Sequence, residues 1–143
     1  MREGEVHGVN YFYYTITDFL NKVGNGEMLE STCFNNWYYG TSKEALSEDK
    51  INIGVFNPDG IRSILKFDDI ELNVYRISCR DKVRLIRQLN REENPDVDEV
   101  IRRYGTDKED FSNLNFYYNE IENNDEEDLD LAVSAIIEDL GLA

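Results

Sequence analysis

Residues 51–76 read INIGVFNPDGIRSILKFDDIELNVYR. Ile51, Ile53 and Val55 alternate with other residues, the period of a half-buried strand. Asn57-Pro58-Asp59-Gly60 has the composition of a tight turn, because proline presets one φ angle and asparagine, aspartate and glycine accept the others. Ile61–Phe67 follows as a partner strand. Asp68-Asp69 turns the chain again, and Ile70, Leu72, Val74 and Arg76 resume the alternation. These residues predict a three-stranded antiparallel meander.

Upstream, the aromatic run Tyr11-Phe12-Tyr13-Tyr14 adds a strand over Val9–Thr15, and Thr17 caps a short helix through Val23 that Gly24-Asn25-Gly26 stops. Residues 27–50 stay open between helix and strand, with a helical turn or two over Lys43–Ser47. Downstream the signals are helical. Ser78 with Asp81 resembles a capping box and opens a helix through about Asn90. Asn94-Pro95 supplies an N-cap and an N1 proline for Val97, Val100, Ile101 and Tyr104, with Gly105 as the stop. Thr106 and Glu109 open another toward Phe111, Leu114 and Tyr118. In the last helix Leu129, Ala132, Val133, Ile136, Ile137 and Leu140 share one face before Gly141. The expected class is α+β: a three- to four-stranded antiparallel meander in the N-terminal half, followed by three to four amphipathic helices. We expect a single compact domain over residues 1–143, with 1–77 mostly strands plus a short helix, and 78–143 helical with an acidic C-terminal helix.

Charge is unevenly distributed. Residues 1–75 carry 12 acids and 6 bases, 76–105 carry 6 and 8, and 106–143 carry 12 acids against Lys108 alone. The net charge is −15, more than solubility requires. Aromatic residues make up 12% of the chain, enough with the aliphatic ones to build a core despite that charge. Cys33 and Cys79 form no disulfide framework and read as reduced, buried thiols. The acidic start lacks the basic region of a signal peptide, and no apolar run is long enough to span a membrane. The expected setting is the cytoplasm, or a host's cytoplasm if the gene is phage-borne.

Chemistry is hard to find. His7 is the one histidine, and with Cys33 and Cys79 it offers no zinc-ligand spacing. A Cys–His nucleophile pair has no supporting motif. Gly24-Asn25-Gly26 lacks the lysine and third glycine of a phosphate loop. An EF-hand counted from Asn123 fails, with Asp128 at its sixth position and Ser134 at its twelfth. Pro58-Asp59 with Glu71 approaches a metal-dependent nuclease pattern, but Asn73 stands where a lysine belongs. No metal, cofactor or catalytic residue is expected, and an enzyme is not.

Nine acids lie between Glu120 and Asp139. On a continuous helix of ~30 Å they would fall at about the phosphate interval of one DNA strand. The charge is assigned to Asp125, Glu126, Glu127, Asp128, Asp130, Glu138 and Asp139, with Tyr117, Tyr118 and Trp37 as anchors. Acids 125–128 also suit a helix N-terminus without any partner. Arg80, Arg84, Arg87 and Arg91 form a stripe at i, i+4, i+7 and i+11, read as pairing with C-terminal carboxylates or with those of a second subunit in a homodimer. The resulting expectation is a non-enzymatic acidic inhibitor of anti-restriction or anti-CRISPR type, a DNA mimic that occludes the basic groove of a nucleic-acid-handling protein without binding nucleic acid or membrane. An immunity protein against a basic nuclease toxin is the first alternative. A small carboxylate-dependent enzyme is the second.

Overall fold

A computed structural model describes residues 4–9, 11–34 and 36–142, apart from the side chains of Glu126 and Glu127. The chain divides into two compact units, Met1–Ile70 and Glu71–Ala143.

In the first unit, helix α1 (Ile16–Gly24) starts where Thr15 Oγ1 accepts the Asp18 amide at 3.1 Å, so the cap is Thr15 and not Thr17. Lys22 in its last turn meets Glu27 at 3.0 Å and Glu44 at 3.4 Å, pinning the helix to the residues that follow. Strands β1 (Met28–Phe34) and β2 (Trp37–Ser42) form an antiparallel hairpin, with Asn36 at φ 64° in its turn. A left-handed asparagine suits a two-residue hairpin loop. Phe19 of α1 packs on Tyr38 with ring centroids 5.7 Å apart. Gly40 permits this approach: a Cβ there would meet Glu30 O at 2.6 Å, Met28 Cε at 2.7 Å and Phe19 Cζ at 3.2 Å. Helix α2 (Pro58–Ile64) completes the unit, burying Ile64 in the same unit as Phe19 and Leu29.

In the second unit, strands β3 (Tyr75–Ser78) and β4 (Asn119–Glu122) pair in parallel, Tyr75 opposite Asn119 and Ser78 opposite Glu122. Parallel strands need a long crossover, here supplied by α3 (Asp81–Leu89) and α4 (Val97–Asp110). Helix α5 (Glu126–Asp139) follows β4 and buries Ala132. Among the described residues no helix is long and apolar enough to cross a membrane.

Among the described residues the expected meander of three to four antiparallel strands is absent. Each sheet has two strands, and one of them is parallel. The deciding misreading lies at residues 57–60, which begin a helix and not a turn. Asn57 Oδ1 accepts the Gly60 amide at 2.8 Å, and Pro58 sits in the first helical turn, where its missing N–H is no loss. Ile61–Phe67 therefore makes no strand, and residues 51–57 join no ladder. The strand expected over Val9–Thr15 reduces, outside Asn10, to an isolated bridge between His7 and Tyr11, and Asn10 lies outside the described residues. Asp96, not Asn94, caps α4, accepting the Glu99 amide at 3.1 Å. That helix runs straight through Gly105, because Thr106 bonds back to Arg102 O at 3.1 Å instead of opening a new turn. Helix α3 has no side-chain cap; the Arg80 amide goes to Asn124 Oδ1 at 2.8 Å. Cys33 is exposed and Cys79 half-buried, so neither is the buried thiol expected.

Candidate functional site

The pleat of the hairpin sorts its side chains into two faces. Leu29, Tyr38 and Gly40 belong to the face that packs on Phe19. The directly opposed pairs Phe34–Trp37, Thr32–Tyr39 and Glu30–Thr41 occupy the other. That outer face runs from an aromatic tip to a polar base. Trp37 is 61% exposed and Tyr39 38% exposed, leaving ring faces open to a ligand. At the base, Thr41 Oγ1 donates to Glu30 Oε1 at 2.9 Å, and both side chains are half-buried. The bond fixes the carboxylate while its second oxygen has no partner among the described residues. A held carboxylate accepts two donors in a row, and an aromatic face beside it accepts a planar ring.

The second unit offers a cavity of about 350 Å³ between the end of α3 and the start of α4, lined by Gln88, Arg91, Asp96, Glu99 and Arg103 among others. Glu99 accepts Arg102 Nε at 2.6 Å and Arg103 Nε at 2.7 Å. Those bonds, Arg102's foremost, hold its carboxyl down to about 2. Arg91 makes no ion pair among the described residues, so it is the uncommitted cation of this cavity. The Gln88 side-chain oxygen Oε1 is buried without a partner among the described residues.

The residues chosen from the sequence, Trp37 apart, fall elsewhere. Trp37 lies on the outer hairpin face, in the first unit. Asp125 caps α5 by accepting the Asp128 amide at 3.1 Å, and Asp128 accepts the Asn124 amide at 2.7 Å. Asp139 accepts the Tyr75 hydroxyl. Asp130 and Glu138 are exposed; the side chains of Glu126 and Glu127 lie outside the described residues. Tyr117 is exposed, whereas Tyr118 is half-buried with Arg76 5.7 Å from its ring. Among the described residues the arginine stripe makes no ion pair with C-terminal carboxylates either. Arg84 contacts Asp81 at 3.6 Å and lies 4.1 Å from the Tyr104 ring, while Arg87 donates to Asn123 O at 2.6 Å. Glu30, Thr41 and Arg103 were not singled out. Pairing residues 28–34 with 37–42 across Asn35-Asn36 would have found the first two.

The family model for guanylate kinase matches residues 1–140. The chain belongs to the guanylate kinase family. It is 31% identical to the guanylate kinase of Fusobacterium nucleatum over 106 residues, 71% of this chain and 56% of that protein. It is 36% identical to that of Mesoplasma florum over 78 residues, 52% of this chain and 26% of that one. The chain thus spans well under two thirds of these curated relatives. The crystal structure of guanylate kinase from Anaplasma phagocytophilum superposes with a TM-score of 0.65 at 21% identity, covering 96% of this chain and 69% of that one. The fold is guanylate kinase-like, of the P-loop NTPase type.

Membership of this family overturns the non-enzymatic inhibitor reading. A family of nucleotide kinases gives no support to a DNA mimic, to an anti-CRISPR, phage or anti-defence role, or to a basic nucleic-acid-handling partner. The expectation that the chain is no enzyme falls with it. Net charge reports on solubility and association and not on fold, and several acids behind the surplus cap helices or accept local hydrogen bonds.

Proposed function

We propose that this chain serves phosphoryl transfer to guanylate in the cytoplasm, its first unit recognising the guanine base and its second supplying arginine charge for phosphoryl groups. The observation that carries the reading is the Glu30–Thr41 pair beneath the open aromatic face of the hairpin, in a chain of this family. Guanine presents adjacent N1–H and N2–H donors, and a carboxylate accepts both; adenine has no such pair of donors on that edge. Tyr39 and Trp37 provide the stacking surface.

In the cavity of the second unit, Arg91 is the cation available to phosphate, and Glu99 orients Arg103. Arginine stabilises the charge on a transferring phosphoryl group. A cradle for donor phosphates requires G-x-x-x-x-G-K-[ST], and residues 1–143 contain no such string. The reading is therefore confined to acceptor recognition and arginine charge.

Titration calorimetry with guanylate and adenylate tests it. Wild type should favour guanylate, and Glu30→Gln should lose roughly tenfold to a hundredfold of that preference, because an amide matches only one of the two donors. Equal binding of the two nucleotides by wild type, or an unchanged preference in Glu30→Gln, would remove the proposal.

A further inference from the structure

We infer that Asn25-Gly26, at the junction of α1 and β1, is a site of spontaneous covalent modification: deamidation of Asn25 to aspartate or isoaspartate, gated by opening of the last turn of α1. The pair is the one Asn-Gly step in the sequence. Asparagine amides are thermolabile, and glycine has no Cβ to obstruct attack by its own nitrogen on the preceding side chain. In the reaction the Gly26 nitrogen bonds to Asn25 Cγ, the Cγ–Nδ2 bond breaks, and ammonia leaves with the proton that the nitrogen gives up. Water, the one co-reactant, then opens the cyclic imide. Opening at Cγ yields aspartate, and opening at the backbone carbonyl yields isoaspartate. Nothing is oxidised or reduced.

The fold itself requires the glycine. Gly26 stands at φ 72°, the left-handed position that closes α1. There the Glu27 amide donates to Lys22 O at 3.0 Å, and the Gly26 amide to Val23 O at 3.0 Å. A helix ending that needs glycine at 26 thus leaves Asn25 open to attack. Asn25 is exposed, so water reaches it. Both reacting groups are nevertheless engaged while the turn is closed. The attacking nitrogen is bonded to Val23 O, and the leaving Nδ2 donates to Glu27 Oε1 at 3.0 Å. The reaction therefore proceeds from the opened turn, at a rate set by how often that turn opens.

Lys22 governs that opening. Its ammonium meets Glu27 Oε2 at 3.0 Å and Glu44 Oε1 at 3.4 Å, while the other oxygen of Glu27 holds the Asn25 amide. The bond from Asn25, and after it the bond from Lys22, keeps the Glu27 carboxyl below its ordinary range. Deamidation removes the Asn25 donor and sets a second negative charge beside Glu27. That charge lies at the C-terminal end of α1, where the helix dipole already disfavours it. Isoaspartate also lengthens the main chain by one atom between α1 and β1. Opening permits the change, and the change then favours opening.

Incubation of the full chain at mildly alkaline pH, followed by peptide mass spectrometry, tests the inference. Asn25 should gain the amide-to-acid mass ahead of every other asparagine, as a mixture of aspartate and isoaspartate. The folded chain should react roughly tenfold or more slowly than the same chain in urea, because a closed helix end opens only part of the time. Lys22→Ala should raise the folded rate severalfold, Lys22→Arg should keep it near wild type, and Asn25→Gln should hold its mass because its imide ring would be larger. Glu44→Gln, at a side chain 68% exposed, weakens the same tie from outside α1 and should raise the rate by a smaller factor, which serves if Lys22→Ala fails to fold. The deamidated chain, separated by anion exchange, should melt lower and exchange the Gly26 and Glu27 amide hydrogens faster. An Asn25 that stays intact in the folded chain overturns the inference. Equal rates in the folded and urea-unfolded chains overturn it as well, as does an unchanged melt and exchange after deamidation.

Discussion

At the residue scale, two side-chain environments make opposite kinds of demand. Gly40 is fixed by space. A methyl group there would press on the Glu30 carbonyl at 2.6 Å, and backbone cannot swing aside as a side chain can. Gly40→Ala should destabilise the chain by about 1–3 kcal/mol, as overpacking does, with thermal unfolding as the readout and guanine preference lost alongside because Glu30 moves. Glu99 is fixed by charge. Its carboxyl is lowered from 4.5 to about 2 by Arg102 first and Arg103 second. A group depressed on folding contributes stability that is present above its unfolded value and lost as pH falls through the folded one. Between about pH 4.5 and pH 2 the first turns of α4 should therefore loosen. Helicity in that window should fall more steeply in wild type than in Glu99→Gln, whose amide does not titrate. At neutral pH the same substitution removes a carboxylate from the cavity and should tighten inorganic phosphate there, read by calorimetry.

At the element scale, one asparagine separates the helix that forms from the turn that the letters also allow. Asn57-Pro58-Asp59-Gly60 satisfies the rules for both, since a turn and a first helical turn share φ values at proline and favour the same capping residues. The helical form buries Pro58, Gly60 and Ile64. Asn57→Ala should cost about 1 kcal/mol by leaving the Gly60 amide without its acceptor, measured as a lower denaturant midpoint. Three helices of the C-terminal half were legible because their 3.6-residue periods are long, whereas the one expected from Thr106 toward Tyr118 does not form, α4 ending at Asp110. Their ends were not, since Asp96, not Asn94, caps α4 and Gly105 does not stop it. The sheet was illegible for a different reason. Its parallel pair joins residues 75–78 to residues 119–122, and no local pattern announces a partner so distant. The candidate site was half legible. Trp37 and Arg91 stood out by composition and spacing, whereas Glu30 and Thr41 acquire meaning only once the hairpin register sets them face to face.

At the scale of the whole molecule, fifteen surplus negative charges set the sign of every long-range effect. The ion pairs that oppose this repulsion, such as Lys22 with Glu27 and Glu99 with Arg103, join partly exposed groups and offset little of it. Salt shortens the screening length from about 30 Å at 0.01 M to about 10 Å at 0.1 M. The melting temperature should consequently rise over that range, as scanning fluorimetry would show. Association has a sign as well. A basic protein partner would be steered in by the surplus and would bind more slowly as salt screens it. Guanylate is an anion and meets repulsion at a distance from a chain of this net charge. Stopped-flow association of guanylate should therefore accelerate between 0.01 and 0.1 M salt, while its dissociation changes less. A rate that falls with salt would contradict steering by the surplus negative charge of a chain whose formal charge is −15.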